Sequence, residues 1–147
     1  MNVHVPIVLK VTPRMNPVVR DRWVAALRSG RFPQGTGTLT RFDGPEGTPR
    51  HCCLGVLCEL ALAASVPLRT RTQRWDDDDD EDDDDGLYER IYDDQVNYPP
   101  PAVRDWAGLA DRDPVVVYRD TPVRLSNLND HVRLSFRDVA DLIEDQL

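Results

Sequence analysis

The chain is short of cysteine, of long apolar runs and, outside one segment, of net charge. Each shortage closes off a class of protein. Its three cysteines are an odd number confined between Cys52 and Cys58, which gives no disulfide framework of the kind that holds small secreted domains together. The longest apolar stretch, Cys52 to Leu68, is interrupted by Gly55, Glu59 and Ser65. That falls short of the roughly 20 apolar residues that span a bilayer and suits a buried helix, so no membrane partner is expected. The opening MNVHVPIVLKVTPR lacks the charged, then apolar, then small-residue order of a secretory signal, and the cytoplasm is the expected compartment.

The net charge of −8 comes from 26 acids against 18 bases, but ten of those acids are the consecutive residues Asp76 to Asp85. Setting them aside leaves 16 acids against 18 bases, a net of +2. Any argument from acidity is therefore an argument about one segment. Ten adjacent carboxylates repel one another and bury nothing, so a disordered loop is expected at about 70–86. At 147 residues the chain suits one domain, read here as residues 16–147 after an N-terminal extension, residues 1–15.

Four helices are legible. Asn16 is a good N-cap, Pro17 sits where its missing N–H costs nothing, and Val19, Trp23 and Leu27 form an apolar stripe ended by Gly30. The second helix, about Cys52 to Ser65, is apolar on most of its circumference, with Pro67 as its stop. The stripe places the Trp23 ring against this helix, near Leu57 and Leu60. Pro99-Pro-Pro101 opens a short helix that carries Val103, Trp106 and Ala107 inward and closes at Gly108. The last begins at Ser135, with Asp138 at the capping-box position and Leu134 and Val139 as hydrophobic staple. Val115 to Tyr118 reads as a strand that pairs with Val123 to Leu125. The Gly-, Pro- and Thr-rich stretch from Arg31 to Arg50 reads as turns around a short extended piece. The expected class is α+β, mostly helical, with at most a small antiparallel sheet.

Chemistry-bearing residues are few. His51, Cys52, Cys53 and Cys58 lack the Cys-x₂₋₄-Cys spacing and the second ligand pair of a zinc site. They read as buried small hydrophobes, and neither metal nor other cofactor is expected. Gly35-Thr-Gly37 has no Lys-Ser/Thr closure and no helix directly after it, so a turn is the reading there. Arg28, Arg31, Gln34 and Arg41 flank the end of the first helix and the loop behind it. With Asn129 they are the candidate ligand-binding residues, converging on an anion such as a nucleotide phosphate. Asn129-Asp130 otherwise reads as a turn before the last helix. No set of nucleophile, base and orienting group is visible, so no catalytic residue is assigned.

The phrases Trp23-Val-Ala-Ala-Leu-Arg-Ser-Gly30, Gln34-Gly-Thr-Gly-Thr-Leu39, Cys52-Cys-Leu-Gly-Val-Leu-Cys-Glu-Leu-Ala61, Trp106-Ala-Gly-Leu109, Leu128-Asn-Asp130 and Ser135-Phe with Ala140-Asp-Leu-Ile-Glu144 resemble a family of small uncharacterised proteins of actinobacteria and their phages. The resemblance spans about residues 16–66 and 99–147. It departs from the pattern in residues 1–14 and in the acidic run. It implies an accessory protein that acts by binding, either blocking a host protein or sequestering a small anionic signal. The function expected is thus a non-enzymatic, host-modulating or anti-defence binding module. Its partner is a host protein or a nucleotide-like anion, and direct nucleic-acid binding is not expected. Two alternatives stand beside it: a nucleic-acid mimic working through residues 76–85, and a hydrolase.

Overall fold

The computed structural model describes residues 14–44, 47–74 and 87–147. The reading of residues 1–15 as an extension lies outside the described residues up to residue 13, and that of about 70–86 as a disordered loop lies outside them at 75–86, while residues 70–74 form a strand and Met15 is buried in the core. Helix α1 (Pro17–Arg28) starts as its sequence dictates, with the Asn16 side chain accepting from Val18 N at 2.9 Å and Val19 N at 3.4 Å. Gly30 follows in the left-handed region at φ 74°. Helix α2 (Cys53–Ala63) buries Cys53 to Cys58 and Ala61. It ends before Pro67, where Ser65 takes φ 65°. Helix α3 (Pro101–Ala107) is closed by Gly108 at φ 69°.

A four-stranded antiparallel sheet runs across the middle of the chain. Its strands are β1 (Thr40–Asp43), β2 (Pro49–His51), β3 (Thr70–Arg74) and β4 (Leu87–Tyr92), in the order β2-β1-β4-β3. Sequence reading saw only fragments of it. A separate hairpin joins β5 (Val115–Tyr118) to β6 (Thr121–Arg124) through Arg119 and Asp120, both at positive φ as a tight two-residue turn requires. The strand expected at Val123 to Leu125 is therefore shifted, and Leu125 instead opens a fifth helical segment. This is α4 (Leu125–Asn127), which runs on as a π-helical turn, Leu128–Val132. Asn129 and Asp130 belong to that turn and not to an open loop. Buried Asp113 starts the segment by accepting from Ser126 N at 3.0 Å and from the Ser126 hydroxyl. Helix α5 (Phe136–Gln146) begins at Ser135, whose hydroxyl accepts from Asp138 N at 3.2 Å.

The core lies between α2, the buried faces of α1 and α5, and the flanking segments around Leu39, Tyr92, Val103, Val116, Leu125 and Leu128. Trp23 is fully buried, and its indole N–H donates to the Cys53 carbonyl at 2.9 Å. Leu57 and the half-buried Leu60 belong to the same packing cluster. Gly55 has a specific reason to be glycine. A Cβ there would lie 1.8 Å from the Leu39 carbonyl oxygen, so any side chain would lift α2 off the segment that leads into β1. Among the described residues no helix is long and apolar enough to cross a membrane.

Candidate functional site

The loop after α1 is built against β2. Gly35 N donates to the His51 carbonyl at 2.7 Å and His51 N to the Pro33 carbonyl at 2.8 Å, so residues 33–35 run beside the sheet edge. This places Gln34 next to the π-helical turn. Its amide nitrogen donates to Asn129 Oδ1 at 3.0 Å and to the Leu134 carbonyl at 2.7 Å, and its oxygen accepts from Phe136 N at 3.2 Å. Asn129 Oδ1 also accepts from Cys53 N at 3.2 Å, while Nδ2 donates to the Gly35 carbonyl at 2.9 Å and to Asp130 Oδ1 at 2.8 Å. Cys53 and Phe136 are the first residues of α2 and α5, whose leading N–H groups have no partner within their own helices. The two carboxamides supply those partners and hold both helices to one loop.

Of the five candidate ligand residues, Gln34 and Asn129 are thus brought together and hydrogen-bonded on every side. Arg28 goes elsewhere. Its guanidinium reaches across to α5 and pairs with Asp141 at 2.6 Å and Glu144 at 2.9 Å, and those hydrogen bonds, Glu144's first, raise its pKa. Arg31 is exposed at the loop entrance. Arg41 is half-buried on β1, directly opposite Arg50 of β2 on one side and Glu89 of β4 on the other. Residues directly opposite in an antiparallel pair share a face, so Arg50, Arg41 and Glu89 form one row. Glu89 is buried and accepts from Gln73 at 2.6 Å, and it makes no ion pair with Arg41 among the described residues. The Nε of Arg41 is buried without a hydrogen-bond partner, as is the hydroxyl of buried Thr38 in the same stretch.

On the other face of the sheet lies a polar chain that sequence reading did not foresee. Arg90 pairs with Glu59 of α2. The Tyr92 hydroxyl donates to Glu59 Oε1 at 2.9 Å and meets Thr40 Oγ1 at 2.8 Å, which in turn meets His51 Nδ1 at 2.8 Å. Counting protons fixes the directions. A carboxylate only accepts, so Tyr92 gives its single proton to Glu59; Thr40 then donates to Tyr92, and His51 must carry its proton on Nδ1. Burial lowers the pKa of His51 and raises that of Tyr92. The only local signal for this chain was the alternation of Thr40, Phe42 and of Arg90, Tyr92 toward one face, and that alternation does not reveal Glu59, 33 residues from Tyr92.

The three cysteines are buried and free. Cys52 Sγ caps α2 by accepting from Gly55 N at 3.3 Å. Burial pushes the Cys52 thiol up to about 12 and raises Cys53 and Cys58 as well, so none is held as a nucleophilic thiolate.

Fold and site together define a small α+β domain in which the carboxamides of Gln34 and Asn129 serve architecture and Arg41 and Arg50 stand side by side on one sheet face. The chain belongs to the family described as Domain of unknown function (DUF8296), which matches residues 15–147. No curated protein and no solved structure matches it.

Proposed function

We propose that the chain is a non-enzymatic binding module that takes a small anionic ligand, such as a nucleotide, on the Arg41–Arg50 face of its sheet. The observation that carries this reading is the direct cross-strand pairing of Arg41 with Arg50. Like charges opposite one another destabilise a sheet, and an anion bridging them removes the repulsion while giving charge-assisted hydrogen bonds. Arg50 is exposed beside the half-buried Arg41, and Arg31 in the adjoining loop is exposed to add to them. Gln34 and Asn129 shape this loop from beneath and do not touch the ligand. The resemblance to small actinobacterial and phage proteins supports a role as a host-modulating accessory protein that sequesters such an anion.

Thermal unfolding in the presence of a panel of nucleotides and cyclic dinucleotides tests the reading. A ligand at about a hundred times its dissociation constant adds about 2.7 kcal/mol of stability. The shift should vanish in Arg41→Gln and Arg50→Gln while their unliganded melting stays near that of the parent. No shift with any member of the panel rejects the small-ligand form and leaves an acidic surface of a host protein as the anion.

A further inference from the structure

A second site lies on a different part of the molecule, where the described chain's two ends meet β5. The side-chain amide of Gln146, in the last turn of α5, makes a two-point contact with Val117: Val117 N donates to Gln146 Oε1 at 2.7 Å, and Gln146 Nε2 donates to the Val117 carbonyl at 2.8 Å. Val117 therefore turns both of its backbone groups away from β6. In an antiparallel strand residues two apart turn theirs to the same side, so the N–H and C=O of Val115 face outward as well. Beside Val115 the surface opens into a cleft of about 310 Å³. Its walls are apolar, from Met15, Leu109, Pro114 and Leu147, and Val115 itself is 47% exposed.

Two charged side chains stand in the walls, Arg14 and Asp111. Asp111 is already matched, by Arg124 at 3.4 Å and by the Asp113 N–H at 3.0 Å, and the second of these chiefly holds its pKa down. Arg14 has no ion pair among the described residues. The cleft thus offers an amide-pairing backbone unit, apolar walls and one unmatched positive charge. On the neighbouring unit of the same strand both outward groups are already taken by the Gln146 carboxamide, which leaves the Val115 pair to an incoming main chain.

We infer that this cleft binds the C-terminal residue of an extended peptide with a branched aliphatic side chain. The peptide's last residue lies beside Val115 as a strand neighbour does, its N–H donating to the Val115 carbonyl and one carboxylate oxygen accepting from the Val115 N–H; the other oxygen meets Arg14, and the side chain packs on Leu109, Pro114 and Leu147. Alternation of main-chain pairing with a side-chain pocket is the general logic of strand addition. The volume lies at the small end of the usual range of about 300–1,000 Å³ for ligand sites, which suits one residue. Gln146 and α5 block the strand edge beyond it.

The probes are N-acetyl-leucine, which keeps the carboxylate, and N-acetyl-leucinamide, which does not. Each is titrated into the full ¹⁵N-labelled chain at millimolar concentration while amide shifts are followed. N-acetyl-leucine should move the Val115 and Leu147 amides and the Gln146 side-chain signals, binding about tenfold more tightly than the amide, a difference of about 1.4 kcal/mol. Arg14→Gln should erase that difference, and Leu109→Trp, which fills the cleft, should abolish both titrations with the remaining spectrum unchanged. Absence of perturbation at Val115, or equal binding of the two probes to the parent, overturns the inference. Neither result bears on the Arg41–Arg50 face.

Discussion

The carboxamides of Gln34 and Asn129 meet at 3.0 Å across 95 residues of sequence, and between them they cap the first N–H of α2 and of α5. Replacing Asn129 with alanine strands the Cys53 N–H and the Gly35 carbonyl in the interior. Each orphaned buried group costs about 1–3 kcal/mol, so Asn129→Ala should lower the urea midpoint far more than Arg31→Ala, which touches an exposed residue. Asn129→Asp keeps the acceptor toward Cys53 and Gln34 but loses the donor to Gly35, so it should fall between. Equal stability of Asn129→Ala and the parent would show that the contact does not hold the helices.

Trp23 is the largest fully buried side chain and also donates to the Cys53 carbonyl. Its replacement by alanine should cost about 3–5 kcal/mol. Trp23→Phe keeps much of the volume but not the N–H, so it separates packing from the hydrogen bond. Calorimetric melting measures both. If Trp23→Ala melts like the parent, the packing of α1 on α2 is wrong.

What could be read in advance follows from range of interaction. The ends of α1 and α5 are set by residues within four positions of one another, Asn16 with Val18 and Val19, Ser135 with Asp138, and both were legible. The four-stranded sheet was not. Its edge strand β3, Thr-Arg-Thr-Gln-Arg, has no apolar alternation, and β2 has three residues. In the sequence Gln34 and Asn129 stand out only as candidate ligand contacts. Only the fold shows that each finds its partners inside, because those partners lie 94 to 102 residues away or at another helix's first turn. That Arg50 stands opposite Arg41 cannot be read from the sequence, because register is not visible in a three-residue strand.

His51 makes stability depend on pH. Its folded pKa is below the ordinary value of 6.5, burial being the chief cause; the Glu59 carboxylate pulls it up and the Arg90 cation pushes it down. The unfolded chain therefore binds the proton more readily. Above about pH 6.5 both states hold a neutral imidazole and the contribution is complete; as pH falls below that value, stability is lost until the folded ring also titrates. Denaturant midpoints measured from pH 8 to pH 5 should decline more steeply in the parent than in His51→Gln. Parallel curves would mean that the ring is not buried in its neutral form.

The acidic run joins β3 to β4, whose register ends with Arg74 opposite Tyr88. Replacing residues 75–86 with Thr-Asn-Gly keeps that register, because the threonine stands opposite Leu87 and Asn-Gly makes the two-residue turn. The change removes ten acids and moves the net charge from −8 to +2. The shortened chain should fold with the same far-ultraviolet spectrum and melt at the same temperature or higher, since a block of like charge opposes compaction. Added salt should raise the melting temperature of the parent, by screening that repulsion over about 10 Å at 0.1 M, and should move the shortened chain much less. A shortened chain that fails to fold would make the acidic segment part of the domain's architecture. One that folds but no longer engages a partner captured by the parent would favour the nucleic-acid mimic over the Arg41–Arg50 face as the binding element.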